Sequence, residues 1–279
     1  MKAVISGTSG YVGGAISDAF KNAGWTVRQP GSEAGRKWRL PEEPDSTAFD
    51  GATGFIHAAW DMRPRNASTA GQTNIGGSQK LLRAAVKSGV GKPVFISSLS
   101  SFAGCRSMYG RMKQVVEKDF LESGGVVVRP GLVYGAASGG MVGKLLRLAS
   151  TLPMLPVPCP NALQYLVHQE TLAGFVFEAG SGRIPTGIYS VAHPRPMTLA
   201  QIIKILAATA QRSPVVIPVP WRIAWLGLKI LGTCGVRLPF SADNLVGLAK
   251  ANPQPDFSAL KNLGIHPPAF PAGMGGRLK

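Results

Sequence analysis

The sequence predicts an α/β protein, a doubly wound parallel sheet with a small, mainly helical C-terminal portion. Three observations predict it. Short apolar runs alternate with amphipathic helical stretches through the first half, a glycine-rich turn joins the first run to the first helix, and helical and proline-rich patterns take over near the C-terminus.

In chain order, Ala3-Val4-Ile5 is the first strand, Gly7 to Gly13 the glycine turn, and Ala15 to Asn22 a helix that Gly24 stops. Trp25-Thr26-Val27 is a second strand and Gly54 to Ala59 a third. Ile75 to Ser88 is an amphipathic helix with Leu81, Leu82, Ala85 and Val86 on one side. Lys92 to Ser97 reads as a buried strand, Met112 to Glu122 as a helix, and Val126-Val127-Val128 as a strand ending at Arg129-Pro130-Gly131. Continuous apolar strands separated by helices are covered on both faces, which means a parallel sheet.

After Gly135 the character changes. Met141 to Ala149 is helical, and four prolines in nine residues make Leu152 to Pro160 irregular. Leu163 to Gly180 reads as strand then helix, Gly187 to Ala192 as one more strand, and Thr198 to Thr209 and Pro220 to Leu231 as helices before a proline-rich tail at 252–271. The sheet domain is therefore expected over 1–135 with about 165–192, and a separate portion over 136–164 with 193–279.

Composition narrows the function. At 279 residues, 45% hydrophobic and 16% charged, the chain can bury a large core and is not disordered. It has no run of 18 apolar residues; Trp221 to Leu231 comes closest and is broken by Arg222 and Lys229. The N-terminal apolar run after Lys2 is too short for a secretory leader. Three scattered cysteines, Cys105, Cys159 and Cys234, read as reduced thiols in a cytoplasmic protein. The net charge of +16 reflects scarce acids as much as abundant bases. The 30 Lys and Arg are spread along the chain without a basic block, which argues against a nucleic-acid binder and for an anionic cofactor or substrate.

Gly7-Thr8-Ser9-Gly10-Tyr11-Val12-Gly13 is a GxxGxxG turn placed directly between a strand and a helix. Glycines there allow the tight turn and let backbone N–H groups approach a pyrophosphate at the helix N-terminus, so the ligand expected is a dinucleotide and the sheet Rossmann-type. A carboxylate at the end of the second strand would bind a ribose 2′-hydroxyl and repel a 2′-phosphate. This chain has Arg28 there, no acid until Glu33, then Arg36, Lys37 and Arg39, which favours NADP over NAD.

The second motif is Ser97-Ser98-Leu99-Ser100-Ser101 at a strand end, followed by Tyr109 and Lys113. The strand end puts hydroxyls at the carboxyl edge of the sheet, where open parallel folds bind ligands. Tyr109 and Lys113, four apart, share a helix face. An ammonium beside a phenol draws its pKa down from about 10, which suits proton transfer coupled to hydride transfer, with a serine hydroxyl holding the substrate oxygen.

With these pieces together, the chain resembles a short-chain dehydrogenase/reductase of the extended or atypical type, the NAD-dependent epimerase/dehydratase family. The matching segments are GTSGYVG at 7–13, HAA at 57–59, Asn74 to Leu82, FISSLSS at 95–101, YGRMK at 109–113 and RPGLVYG at 129–135, with a weaker match at LVHQETLAG, 166–174. The resemblance implies Tyr109 as general acid/base, Lys113 as ribose anchor and pKa modifier, and Ser98 as the carbonyl-orienting hydroxyl, with Ser100 the alternative. It places cofactor contacts on Gly7, Ser9, Gly10, Tyr11, Val12, Ala58, Ala59 and Pro130, alongside Gly13 and Arg28 from the turn and the second strand. Departures are as informative. The interval from Ser98 to Tyr109 is short for a sugar-nucleotide epimerase, and Thr171 replaces an Asp usual before that helix. Leu99-Ser100 stands where sugar dehydratases carry an acidic pair, which argues against 4,6-dehydration, and Arg39 stands where an adenine-side Asp is usual at the end of a third strand.

Trp60 reads as a pocket wall or as core packing, and Arg63 and Arg65 as a clamp for an acidic substrate or as solvated loop residues. His57 and His168 read as structural, and no histidine has metal-ligand spacing. The apolar helix at 221–231 reads as a wall of the substrate portion, with contact to a membrane surface as the alternative. The expected function is an NAD(P)-dependent oxidoreductase or epimerase acting on a small, sugar-like or other substrate, with homodimerisation open. The alternative is a non-catalytic dinucleotide-binding subunit or redox sensor.

Overall fold

A computed structural model of the chain describes residues 1–31, 38–62, 66–135, 139–233 and 240–272. The expectations placed on Glu33, Arg36, Lys37, Arg63, Arg65 and Cys234 lie outside them.

In chain order the first half forms β1 (Lys2–Ser6), α1 (Tyr11–Asn22), β2 (Thr26–Arg28), β3 (Gly54–His57), α2 (Ala67–Ala70), a π-helical turn (Gly71–Gly76), α3 (Gly77–Lys87), β4 (Pro93–Ile96), α4 (Met108–Glu122) and β5 (Val126–Pro130). There follow β6 (Leu132–Tyr134), α5 (Gly140–Thr151), β7 (Met154–Pro158), β8 (Leu163–Gln164), β9 (Leu166–His168), α6 (Gln169–Gly180), β10 (Gly187–Val191) and β11 (Met197–Thr198). The chain closes with α7 (Leu199–Thr209), β12 (Val215–Val219), α8 (Trp221–Thr233), α9 (Ala242–Ala249) and α10 (Ser258–Asn262).

The chain divides into two compact units. The first comprises Met1–Ser98, Met112–Pro130 and Gln169–Ser190. It holds a six-stranded sheet in the order β2-β1-β3-β4-β5-β10, in which β1 pairs in parallel with β2 and β3, β3 with β4, and β4 with β5. The chain leaves β1 for β2 on one side and returns to β3 on the other, so the topological switch lies between β1 and β3, where such sheets bind ligands. The sheet is apolar through its thickness: β3 and β4 are buried at every residue, and Phe55, Phe95, Phe120 and Val127 meet in one core cluster. No strand lies between β2 and β3 among the described residues, and Arg39 sits exposed in a turn. Arg39, expected at the end of a third strand, lies outside any strand among the described residues, and residues 32–37 before it lie outside them.

The second unit comprises Leu99–Arg111, Gly131–His168 and Val191–Lys279. The stretch 99–111 therefore belongs with it and not with the sheet. Its core gathers Leu145, Leu146, Leu155, Val157, Leu166, Ile202 and Leu206. The expectation of an irregular segment at 152–160 is corrected: β7 runs through it and pairs in parallel with β12, Met154 opposite Val215 and Pro158 opposite Val219. The Val215 N–H donates to the Pro153 carbonyl. Continuing that alternation, residues 155 and 157 exchange bonds with β12 while Pro156, Pro158 and Pro218 turn their N–H-less side outward. Prolines are tolerated in a ribbon that is edge on both sides.

Candidate functional site

The glycine turn is built by contacts that only glycine permits. Gly7 has φ +79°, and a Cβ on it would stand 2.7 Å from the Ala59 nitrogen. A Cβ on Gly13 would stand 2.1 Å from the Gly7 carbonyl oxygen. The turn thus seats directly on the Ala58-Ala59 backbone at the β1/β3 switch. The Gly10 N–H donates to Gly7 O (2.9 Å), and α1 starts at Tyr11 with Gly10 as an N-cap that makes no side-chain bond and no acid in the first turn. The first N–H groups and the positive end of the helix dipole are left to an anion. Ser9 and Gly10 are exposed, Val12 is half-buried, and the Tyr11 hydroxyl is buried without a hydrogen-bond partner. A nicotinamide dinucleotide fits these residues: a cradle that one methyl group would fill, and a buried hydroxyl in want of a partner. Arg28 ends β2, exposed, and Pro130 ends β5, buried.

A buried chain of hydrogen bonds fixes the Ala58–Asp61 segment. His57 is fully buried, with Nδ1 2.7 Å from Ser6 Oγ and Nε2 2.7 Å from Ser78 Oγ. Ser78 spends its proton on Asn74 O (2.5 Å), so His57 Nε2 carries a hydrogen and donates to Ser78. His57 Nδ1 then accepts from Ser6, whose oxygen in turn accepts the Ala59 N–H (3.2 Å). Asn74, in the π-helical turn, clasps Asp61 through both backbone groups, accepting its N–H at 2.7 Å and donating to its carbonyl at 3.0 Å. His57 also stacks with Phe95 and Phe120. Burial, with the Lys113 charge second, pushes His57 down to about 3.

This sets a pH prediction. The unfolded chain protonates His57 below about pH 6.5 while the folded chain does not, so its contribution is full above 6.5 and falls by about 1.4 kcal/mol per unit as pH drops towards 3. Urea denaturation should show a stability loss between pH 7 and 5 that His57→Gln largely flattens. An equal slope in both proteins refutes it.

Lys113 is 3% exposed. Its Nζ donates to Ile96 O (2.7 Å) and stands 3.8 Å from the Trp60 ring centroid and 4.5 Å from that of Phe95. Trp60 therefore packs on the core cluster and presents a face to the ammonium. Burial pushes the Lys113 pKa well below the ordinary lysine value, and the Glu117 carboxylate one turn on pulls it back up. Glu117 is itself buried, accepts from the Ser97 hydroxyl, and takes Arg129 on both oxygens, Nε at 2.9 Å and Nη2 at 2.5 Å. Charge-assisted bidentate bonds compensate that burial and tie β4, α4 and β5 together. Sequence reasoning missed this network; Arg129 beside a predicted strand end, with a glutamate at helical spacing from Lys113, was the available signal.

Ser97 is thus committed to Glu117, and the Ser101 hydroxyl is buried without a partner, while Ser98 and Ser100 are half-buried. Tyr109 is half-buried on α4, one turn before Lys113. The expected helix start at Met112 is corrected to Met108, because three orphan N–H groups find acceptors. The Ser107 hydroxyl accepts from Gly110 N (3.1 Å), and the Asp243 carboxylate accepts from Met108 N (2.7 Å) and Tyr109 N (3.0 Å). Asp243 lies 134 residues from Tyr109, beyond any local sequence signal. Among the described residues no cluster of His, Cys, Asp or Glu could hold a metal ion.

The profile of the NAD dependent epimerase/dehydratase family matches residues 3–149, more than half the chain. The chain belongs to that family. No curated protein sequence matches it. Solved structures give this family member its fold neighbours. The UDP-glucose 4-epimerase of Thermotoga maritima, solved with UDP-glucose, has a TM-score of 0.75 at 17% identity, over 99% of this chain and 96% of that one. The UDP-glucose 4-epimerase of Thermus thermophilus, in complex with NAD, gives 0.63 at 18% over 89% and 97%. RMD from Pseudomonas aeruginosa, complexed with NADPH, gives 0.64 at 17% over 88% and 97%. At these identities the likeness establishes the α/β Rossmann-like fold.

Proposed function

We propose that this chain is an NAD(P)-dependent oxidoreductase or epimerase acting on a hydroxyl or carbonyl group of a small, sugar-like substrate. The observation that carries the reading is the glycine cradle at the β1/β3 switch on the same chain as Tyr109 and Lys113, one turn apart on a capped helix. The dinucleotide supplies a hydride donor or acceptor when bound. Gly7, Ser9, Gly10, Tyr11, Val12 and Gly13 hold its pyrophosphate end, with Ala58, Ala59 and Pro130 along its course. Tyr109 gives or takes the proton at the substrate oxygen, Ser98 orients that oxygen with Ser100 as the alternative, and Lys113 anchors the ribose and favours phenolate. Trp60 walls the pocket beside Lys113. Arg28 and the absence of an acid at the end of β2 support NADP over NAD. UDP-sugars, bound by structural neighbours, are the substrate class to try first, and the positive chain suits their diphosphate. Leu99-Ser100 offers no carboxylic acid to drive water elimination, so 4,6-dehydration is not the reaction proposed. The reduced Cys105 and Cys159 fit a cytoplasmic protein.

Titration with NADPH and NADH, followed by turnover assays on UDP-sugars and simple carbonyls, tests the reading. NADPH should bind at least about tenfold tighter, a margin that Arg28→Ala should erase, since one phosphate contact is worth about 1.5–3 kcal/mol. Binding without turnover of any substrate would replace this reading with a dinucleotide sensor.

A further inference from the structure

The charge of the chain is divided unevenly between its units. The second unit holds 14 of the 30 Lys and Arg but only two of the 14 Asp and Glu, Asp243 and Asp256, so it carries +12 of the net +16. Both acids are engaged by backbone, Asp243 with Met108 and Tyr109 and Asp256 with Ser258. No acidic residue occurs from Ala179 to Ala242, a stretch holding seven Lys and Arg.

The same stretch exposes apolar surface. On α8, Ile223 is 66% exposed, Leu226 52% and Ile230 53%. At 100° per residue these three share one face, and Arg222 and Lys229, both exposed, border it along one edge. The helix also packs against α9. Lys229 lies 5.0 Å from the Trp225 ring centroid, and Arg222 and Lys250 each 5.9 Å from that of Trp221. Immediately before α8, the β7–β12 ribbon buries Leu155 and Val157 and turns Met154 and Val215 outward.

We propose that this face of α8 docks on an anionic lipid bilayer, with Ile223, Leu226 and Ile230 entering the headgroup boundary and Arg222 and Lys229 meeting lipid phosphates. A helix with apolar residues on the exposed face and bases along its edge matches the chemistry of that boundary. The +12 unit supplies the charge complementarity an anionic leaflet selects for. Like charge on both sides opposes a second copy of this chain on the same face, and Pro156, Pro158 and Pro218 deny the ribbon edges to strand addition. The proposal is independent of the reaction assigned to the site.

Flotation of the whole protein with phosphatidylcholine vesicles, with and without phosphatidylglycerol, tests it. Binding is expected only to the anionic vesicles and should weaken with salt. The triple variant I223S/L226S/I230S and the pair R222Q/K229Q should each bind at least about tenfold more weakly, with thermal midpoints and dinucleotide binding unchanged. Vesicles with brominated lipids should quench tryptophan fluorescence. Equal binding to neutral vesicles, no binding to either, or unaltered binding by both variants overturns the proposal. So does light scattering that shows a wild-type dimer which the triple variant breaks into monomers, since the face would then be a self-association surface.

Discussion

Tyr109→Phe is expected to lower turnover by about 10²–10⁴-fold while dinucleotide affinity stays unchanged, because the substitution removes the proton donor and nothing that the glycine cradle uses. The tyrosine backbone would keep its place: Asp243 and Ser107 hold the first turn of α4 through main-chain N–H groups, which phenylalanine retains. Steady-state kinetics on the best substrate, with a parallel NADPH titration, separates the two effects. Full turnover in the variant would remove Tyr109 from the chemistry and pass the role to another group.

Gly13→Ala is expected to abolish measurable dinucleotide binding and to cost about 1–3 kcal/mol of stability, the range of an overpacked site. The added methyl would stand 2.1 Å from the Gly7 carbonyl, and Gly7 cannot retreat because the Ala58-Ala59 backbone lies directly behind it. The helix would have to move away from the turn, and the N–H groups at its start with it. Gly14→Ala is the control: its Cβ would meet Thr8 O at 3.3 Å, tight but open to small adjustment. If Gly13→Ala bound NADPH normally, the pyrophosphate site would lie elsewhere.

The hydrogen bonds of His57 show why a motif can be read while its reason is not. HAA at 57–59 is visible in the sequence, but its partners Ser6 and Ser78 are 51 and 21 residues away, and the β1–β3 pairing brings in the one while the packing of α3 on the sheet brings in the other. The sheet order reads the same way. Apolar runs separated by helices dictate parallel pairing, because strands buried on both faces need covering on both. The β7–β12 ribbon was hidden by its prolines, which composition alone assigns to loops and which a two-strand ribbon accommodates on its outer edges. Likewise the net charge was legible as a number, while its concentration in one unit followed from how the segments 99–111, 131–168 and 191–279 come together.

The α/β class, the glycine turn between β1 and α1, and the one-turn spacing of Tyr109 and Lys113 are legible in the sequence, since each rests on a pattern spanning a few residues. Long-range packing sets where α4 begins, what buries Lys113, how Glu117 and Arg129 neutralise each other, and which unit carries the charge. Those depend on partners from 12 to 135 residues apart. Local periodicity fixes which face of an element is apolar, but it holds no record of which distant polar group that face will bury.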